Sequence, residues 1–521
     1  MTHARAPRAR TLDPRPVSVR TPSVLVMSHS HPKLTRGGAE ISALALFRGI
    51  KERGARAWFL GCGGIGSEQR LGAALTQPYG ADDYVYTPAA PFDYFKFANP
   101  DPHFPRALAE LVAELRPDIV HAHHYARFGV EMLALIKRVS PTTRIVVSLH
   151  EYLALCHNFG QMVKTGSGRL CERESPAECA RCFPQIAAAD FFLRKRYIQS
   201  FFEHVDLFLA PSQFLAERYI AWGIPPARIT VLENMPPETR PMAADPVMDD
   251  QLPARGTSFA PAVASGGASG SASGGGSGGQ AAQLQSGLGG TSTAAMRGRL
   301  PAPQSAVSDG LATGSGAQIP SSRAARELRA TGPLAALPRR RRVRVGFFGQ
   351  LSPLKGIGVL IEAAKKLVAQ DIDGIEIVIH GDYSSQPEAF QDFVKQALAD
   401  APPNVSYMGP YDNQDVGRLM QRVDAVVTPS IWWENSPVVI QEAFANGRPV
   451  ICSNVGGMAE KVRHGRDGLH FEIGRADSLA RLFANLAEHP EVLTDLAGGV
   501  TRPLDAAAAL QAHLNAYARI M

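Results

Sequence analysis

No stretch of the 521-residue chain reaches the roughly 18 consecutive apolar residues that a membrane-spanning helix needs, so no transmembrane helix is predicted. Residues 1–22, MTHARAPRARTLDPRPVSVRTP, contain arginines and prolines but no apolar core. A secretory signal is therefore not expected, and the chain reads as unexported and cytoplasmic, with a disordered basic tail over 1–22. Positive charge is scarce once it is located. The formal charge is +6, but residues 1–22 carry five Arg against one Asp and residues 251–344 eleven Arg against two acids, which leaves −7 on the remainder. Acidic folded parts argue against a nucleic-acid groove.

Large apolar residues are few in another long stretch. FAPAVASGGASGSASGGGSGGQAAQLQSGLGGTSTAAM and its continuation are rich in Gly, Ser and Ala and cannot bury a core. Residues 238–342 are accordingly expected to be a low-complexity disordered linker or insertion between two domains, 23–237 and 343–500, followed by a C-terminal helix in 501–521 that could pack back on the first domain. Each domain opens alike. SVLVMSHSHPKLTRGGAEISALALFRGIKERG reads as a strand at 24–28, a loop ending in Gly37-Gly38, and a helix closed near Gly54. VRVGFFGQLSPLKGIGVLIEAAKKLVAQ repeats the plan with a strand at 343–348 and a loop from Gly349 to Gly356. Apolar strands such as RIVVSLH, LFLAPS, IEIVIHG, AVVTPS and PVICSN then alternate with helices, which predicts two doubly wound parallel α/β sheets. Ligands of such sheets sit beyond the carboxyl ends of the strands, where helix N-termini offer free N–H groups to anions.

The segment WWENSPVVIQEAFANGRPV, residues 432–450, carries two glutamates, Glu434 and Glu442, separated by seven residues. Ser436 reads as an N-cap, Pro437 as the first helical residue and Asn446-Gly447 as the stop. Val439, Ile440, Ala443 and Phe444 form one apolar arc, which turns Gln441 and Glu442 away from the core. A solvated Glu442 is one reading of that geometry and a ligand contact the other. The Gly37-Gly38 loop, the Gly349–Gly356 loop with Lys355, and the Ser436-Pro437 helix start all suit a diphosphate.

The Glu434/Glu442 pair, the FFGQLSPLKG and TRGGAE loops, and SLHEY with His150 together resemble the retaining family-4 glycosyltransferases of GT-B architecture, over about 23–236 and 343–485. The resemblance implies two Rossmann-like domains facing a cleft and transfer of a sugar from a nucleotide-diphosphate donor to a glycan or lipid-linked acceptor, as in surface polysaccharide synthesis. It assigns Lys355 to the donor diphosphate. The companion arginine usual in that family is here Gln350, which donates hydrogen bonds but adds no charge. It further assigns Glu434 to the donor sugar, Glu442 to the ribose hydroxyls, the amides of Asn435, Ser436 and Val438 around Pro437 to the sugar or phosphate, and His150 to the donor sugar across the cleft. No carboxylate in the first domain stands out as a nucleophile, so a front-face route is expected, with the leaving diphosphate taking the acceptor's proton. Asp371-Ile372-Asp373 reads as a helix exit and not as a metal motif, so catalysis is expected to be metal-independent. An epimerase or a catalytically inactive GT-B subunit are the competing readings.

Of six cysteines, Cys156, Cys171, Cys179 and Cys182 lie in LCHNFGQMVKTGSGRLCERESPAECARCF. Their Cys-x2-Cys pair suggests a structural zinc, with free thiols the alternative. Cys62 and Cys452 read as core. His121, His123 and His124 end another strand and are expected to line the cleft. DFFLRKRYIQSFFEHVD reads as a packed helix with solvated arginines, or as a peripheral membrane contact.

Overall fold

A computed structural model describes residues 10–11, 21–35, 37–64, 73–236 and 342–521. The segment expected to be a linker lies outside the described residues except for Arg342, as does most of 1–22. Within that expected tail, Arg10–Thr11 form a short strand paired in parallel with Ile229–Val231, so these two residues join the sheet instead of hanging free.

The first domain is built on a nine-stranded sheet. From the Arg10–Thr11 edge its order is Ile229–Val231, Leu207–Ala210, Arg144–Ser148, Ile119–Ala122, Val24–Ser28, Ala57–Cys62, Asp83–Tyr86 and Leu75–Thr76. All pairings are parallel except the last, Leu75–Thr76 with Asp83–Tyr86. The second domain has six parallel strands in the order Val405–Gly409, Ile375–His380, Val343–Phe348, Ala425–Thr428, Val450–Ser453 and Gly468–Phe471. Parallel neighbours require crossover helices, and helices on both faces bury the strands twice over. That accounts for unbroken apolar runs such as Val24–Met27 and Ala425–Val427, all fully buried.

The C-terminal helix Ala506–Ala518 packs on the first domain. Leu510, Leu514 and Tyr517 share a core with Val24, Val26, Leu46, Ile50 and Phe59. Glycine at position 49 leaves room for this crossing, since a Cβ there would lie 3.1 Å from Leu510. The two domains also touch through charge. Glu460, on the short helix Gly456–Lys461, accepts from the amides of Gln213 and Phe214 at 2.8 Å each, and so caps a helix of the other domain, Gln213–Trp222. Lys461 donates to Pro211 O at 2.8 Å and is ion-paired with Glu233.

Two local expectations change. In Ala188–Phe202, Arg194 is buried instead of solvated, because its guanidinium donates to three carbonyls, Phe95 O, Leu153 O and Ala154 O, each at 2.6 Å. A charged group can be buried when its donors are satisfied in this way. The helix after the WWENSP segment is Val438–Ala445, with Pro437 and not Ser436 at the N-cap position. Ser436 is engaged elsewhere: its hydroxyl donates to Glu233 Oε1 of the other domain at 2.5 Å.

Candidate donor and acceptor site

The strand ends of the two sheets face one another across a cleft of about 340 Å³. Gly37 and Gly38 line it from the first domain, and Gly349, Gln350, Lys355, Tyr411, Asn413, Glu434, Pro437, Val438 and Glu442 from the second. Two helix starts meet there. Gly38 opens Gly38–Glu52, and a Cβ on it would stand 3.4 Å from the Val438 side chain, at the start of Val438–Ala445. The start of Val438–Ala445 has no side-chain cap and presents backbone donors and partial positive charge to the cleft, whereas at the start of Gly38–Glu52 the Glu40 carboxylate takes up the amides of Gly37 and Glu40.

Lys355 ends a 3-10 turn, Pro353–Lys355, and Gly356 follows in the left-handed region at φ 74°. Only glycine fits there, because a Cβ would lie 1.8 Å from Pro429 O. The turn aims Lys355 at Glu434, with Nζ 2.5 Å from Oε1, and Ser430 Oγ donates to the same oxygen at 2.8 Å. Burial opposes the charge on Glu434, but the Lys355 ammonium and hydrogen bonds from Lys355, Trp432 and Ser430 outweigh it and hold the carboxyl below its usual range.

Glu442 is 7% exposed and its Oε1 is buried without a partner, which overturns the solvated reading. The helix turns it away from its own domain's core, as the apolar arc requires, but what lies on that side is the cleft. Burial raises its carboxyl to about 7 against a weaker opposing hydrogen bond from Asn413. Gln350 lines the cleft too, with its amide donating to Ser385 Oγ at 2.7 Å.

His150 sits beside this cleft and does not line it. Its carbonyl accepts from Asn435 Nδ2 at 2.9 Å, which ties the strand end to the glutamate loop. Its ring nitrogen Nε2 pairs with His123 Nδ1 at 3.1 Å, and burial, then the neighbouring His124 and His513, lowers its pKa to about 3. At neutral pH it is therefore an uncharged hydrogen-bonding group. His121 is tied to Tyr517 OH at 2.6 Å and Ser148 Oγ at 2.8 Å, so the first histidine of the expected cleft-lining run is committed to packing the C-terminal helix.

A second polar group on the first domain was not anticipated. His29 Nε2 lies 3.3 Å from Glu40 Oε1, His124 Nε2 lies 3.2 Å from Glu151 Oε1, and the two imidazoles are 4.5 Å apart. Burial raises the Glu40 carboxyl, while its own amide and that of Gly37 partly offset the effect. Glu40 thus accepts from the amide of the N-cap Gly37, the glutamate half of a capping box. The signal was in TRGGAE, a glutamate three residues past an N-cap glycine.

Cys156, Cys171, Cys179 and Cys182 are all free thiols and wall one cavity of about 20 Å³ with His157 and Glu174. As placed, no group of three or more His, Cys, Asp or Glu side chains among the described residues is arranged to hold a metal ion. Cys62 and Cys452 are buried. No described helix is long and apolar enough to cross a membrane.

Two parallel-sheet domains closing on a cleft lined with helix N-termini define the GT-B class. The family models agree in order and position: Glycosyltransferase Family 4 matches residues 36–235, and Glycosyl transferases group 1 matches 337–498. The chain belongs to the family-4 glycosyltransferases. A D-inositol 3-phosphate glycosyltransferase of Rhodococcus opacus is 31% identical over 163 residues, which is 30% of this chain and 36% of that protein. The chain thus spans about a third of the length of the curated relatives it matches. Among solved structures, the fold is shared with a sucrose-phosphate synthase of Thermosynechococcus elongatus, at 14% identity, 96% coverage of each chain and TM-score 0.54. It is shared as well with Anabaena HepE in complex with UDP-glucose, at 16% identity, coverage of 96% and 97%, and TM-score 0.50.

Proposed function

We propose that this protein is a retaining glycosyltransferase that moves a sugar from a nucleotide-diphosphate donor to a glycan or lipid-linked acceptor, in surface polysaccharide or glycoconjugate synthesis. The observation that carries this reading is the joint placement of Lys355, Glu434, Glu442 and two helix starts around one cleft. Donor diphosphate lies against the starts of Gly38–Glu52 and Val438–Ala445 and shares Lys355 with Glu434. Ribose hydroxyls donate to the unpartnered oxygen of Glu442. Glu434 accepts from the transferred sugar, and neutral His150 and Asn435, bonded to each other beside the cleft, back the face turned to the first domain. Gln350 contributes hydrogen bonds without charge.

The anomeric carbon is approached from the face the diphosphate leaves, and the departing phosphate oxygen takes the acceptor proton. Charge developing on that oxygen is met by Lys355 and the two helix starts, so the reaction needs no catalytic ion. The acceptor enters from the first domain, past His29, Glu40, His124 and Glu151.

Three further parts belong to the proposal. The four-cysteine lobe takes a structural zinc, supported by the convergence of four reduced thiols on one cavity; its side chains must rotate to ligate it. The protein works in the cytoplasm. It touches the inner membrane face through Phe192 and Leu193, which are exposed on Ala188–Phe202 beside Arg196.

Calorimetry with UDP, GDP and ADP, followed by slow hydrolysis of the matching nucleotide sugars, tests the reading. UDP-glucose, present in the HepE structure, is the first donor to try. Binding of no nucleoside diphosphate would sink it.

A further inference from the structure

Trp433, the immediate neighbour of Glu434, lies between the two domains. It is partly buried against the hydrophobic cores of both domains at once. Its indole N–H donates to the carbonyl of Cys171, in the four-cysteine lobe, at 3.1 Å. Its ring packs on Phe214 with centroids 5.1 Å apart, and the Arg218 guanidinium lies 4.9 Å from Trp433 and 4.7 Å from Phe214. Phe214 and Arg218 sit one turn apart on Gln213–Trp222, the helix whose N-terminus Glu460 caps from the second domain. Arg218 also donates to Glu172 O, next to Cys171, so the guanidinium joins the lobe to the indole.

On the other side, Glu434 is held by Lys355, Ser430 and Trp432 through its carboxylate, and by the amide of Gly457 through its carbonyl at 2.7 Å. Within its own domain the loop is also anchored by the Ile431 amide on Leu354 O at 2.9 Å, and after Glu434 it is tied to the first domain by Asn435 on His150 O and Ser436 on Glu233. Before Glu434, its tie to the first domain is Trp433. An indole that hydrogen-bonds at one end and stacks along its length fixes both the depth and the rotation of the backbone that carries it.

We propose that Trp433 is a positioning residue, which sets the Glu434 loop against the first domain through Cys171 and Arg218. Glu434 is then correctly placed only when the four-cysteine lobe is folded and the domains are closed. This gives the lobe a task in the reaction whether or not it holds a metal. The turnover part rests on Glu434 contacting the donor sugar; the structural coupling does not.

The test uses the full chain with Trp433→Phe, which keeps an aromatic ring but removes the N–H, and Arg218→Met, which keeps the stem but removes the guanidinium. Hydrogen exchange over residues 430–438 should quicken about tenfold in either variant while the strands of both sheets stay protected. Cys179→Ser/Cys182→Ser should quicken the same segment. With the donor found by nucleotide screening, kcat should fall about tenfold and the donor KM stay within about twofold, because the loop matters most in the transition state. Adding Trp433→Phe to the cysteine variant should bring no further loss, since both break one chain of contacts. Wild-type exchange over 430–438 in both single variants, or losses that multiply in the combined variant, would overturn the proposal. Exchange that rises throughout the chain would do the same, since it marks general destabilisation. If no donor is turned over, the exchange result still decides the coupling, and only the reading of the activity fails.

Discussion

Glu442→Gln should make the protein more stable and a poorer binder of nucleotide, two effects of opposite sign from one carboxylate. Burial lifts the Glu442 carboxyl from its ordinary 4.5 to about 7. The unfolded chain therefore ionises near 4.5 and the folded one only near 7, so between these values folding takes up a proton. The group costs nothing below the lower value. Its penalty grows as pH rises through the window and levels off above 7, at roughly 3 kcal/mol for a shift of this size. Glutamine keeps the shape without the charge, so urea unfolding should show a gain approaching about 3 kcal/mol at pH 8 and close to none near pH 4.5. Binding should move the other way. If ribose hydroxyls donate to the carboxylate, the amide loses charge-assisted bonds of roughly 1 to 3 kcal/mol, which is about 5- to 150-fold in Kd for the nucleoside diphosphate. Wild-type affinity should also weaken as pH falls through 7, and the variant should lack that component. Calorimetry and urea titrations at several pH values measure both. A variant that binds as tightly as wild type and gains no stability at pH 8 would refute the assignment, along with the buried charge on which it rests.

Glu434→Gln removes the anion paired with Lys355, so diphosphate affinity should hold or rise while turnover falls at least about tenfold, read by calorimetry and a donor-consumption assay. Lys355→Ala should lower both, because the ammonium serves the bound diphosphate and the leaving group alike, and it leaves Glu434 buried without its cation. Replacing residues 245–338 by a short Gly/Ser linker should leave thermal unfolding and nucleotide binding unchanged, since that composition cannot form a core; loss of folded protein would show that the segment packs. Elemental analysis should find about one zinc per chain, and Cys179→Ser/Cys182→Ser should release it and lower the unfolding temperature; a zinc-free protein with full activity ends the zinc proposal.

Much of the architecture was legible in the chain because it rests on local signals. Apolar runs of strand length mark parallel strands buried on both faces, and glycines mark the loops where backbone must approach a ligand or another strand. The 24–28 and 343–348 strands match their expected limits, and Gly356 closes its loop where expected, although the clash that excludes a side chain there comes from Pro429 O. The spacing of Glu434 and Glu442, and the place of Lys355 on a glycine-bounded turn, are likewise written in one short segment each.

Burial and partnership are different, because they depend on what comes from elsewhere in the chain. Helical periodicity turned Glu442 away from its own core, but only the second domain's contact with Gly38 made that side a closed cleft and lifted the carboxyl to about 7. Composition marked Arg194 as solvated, yet three carbonyls from loops 40 and about 100 residues distant satisfy it in the interior. Ser436 has the chemistry of an N-cap, and a glutamate 203 residues away claims its hydroxyl instead. The segment by itself gave Trp433 no role; the Cys171 carbonyl and the Arg218 guanidinium reach it from the other domain. Sequence determines what each residue can offer within a few turns of backbone. Which offers are taken up is decided by long-range packing, since a hydrogen bond or an ion pair forms only where the tertiary fold brings its second partner and removes the water that would otherwise compete for it.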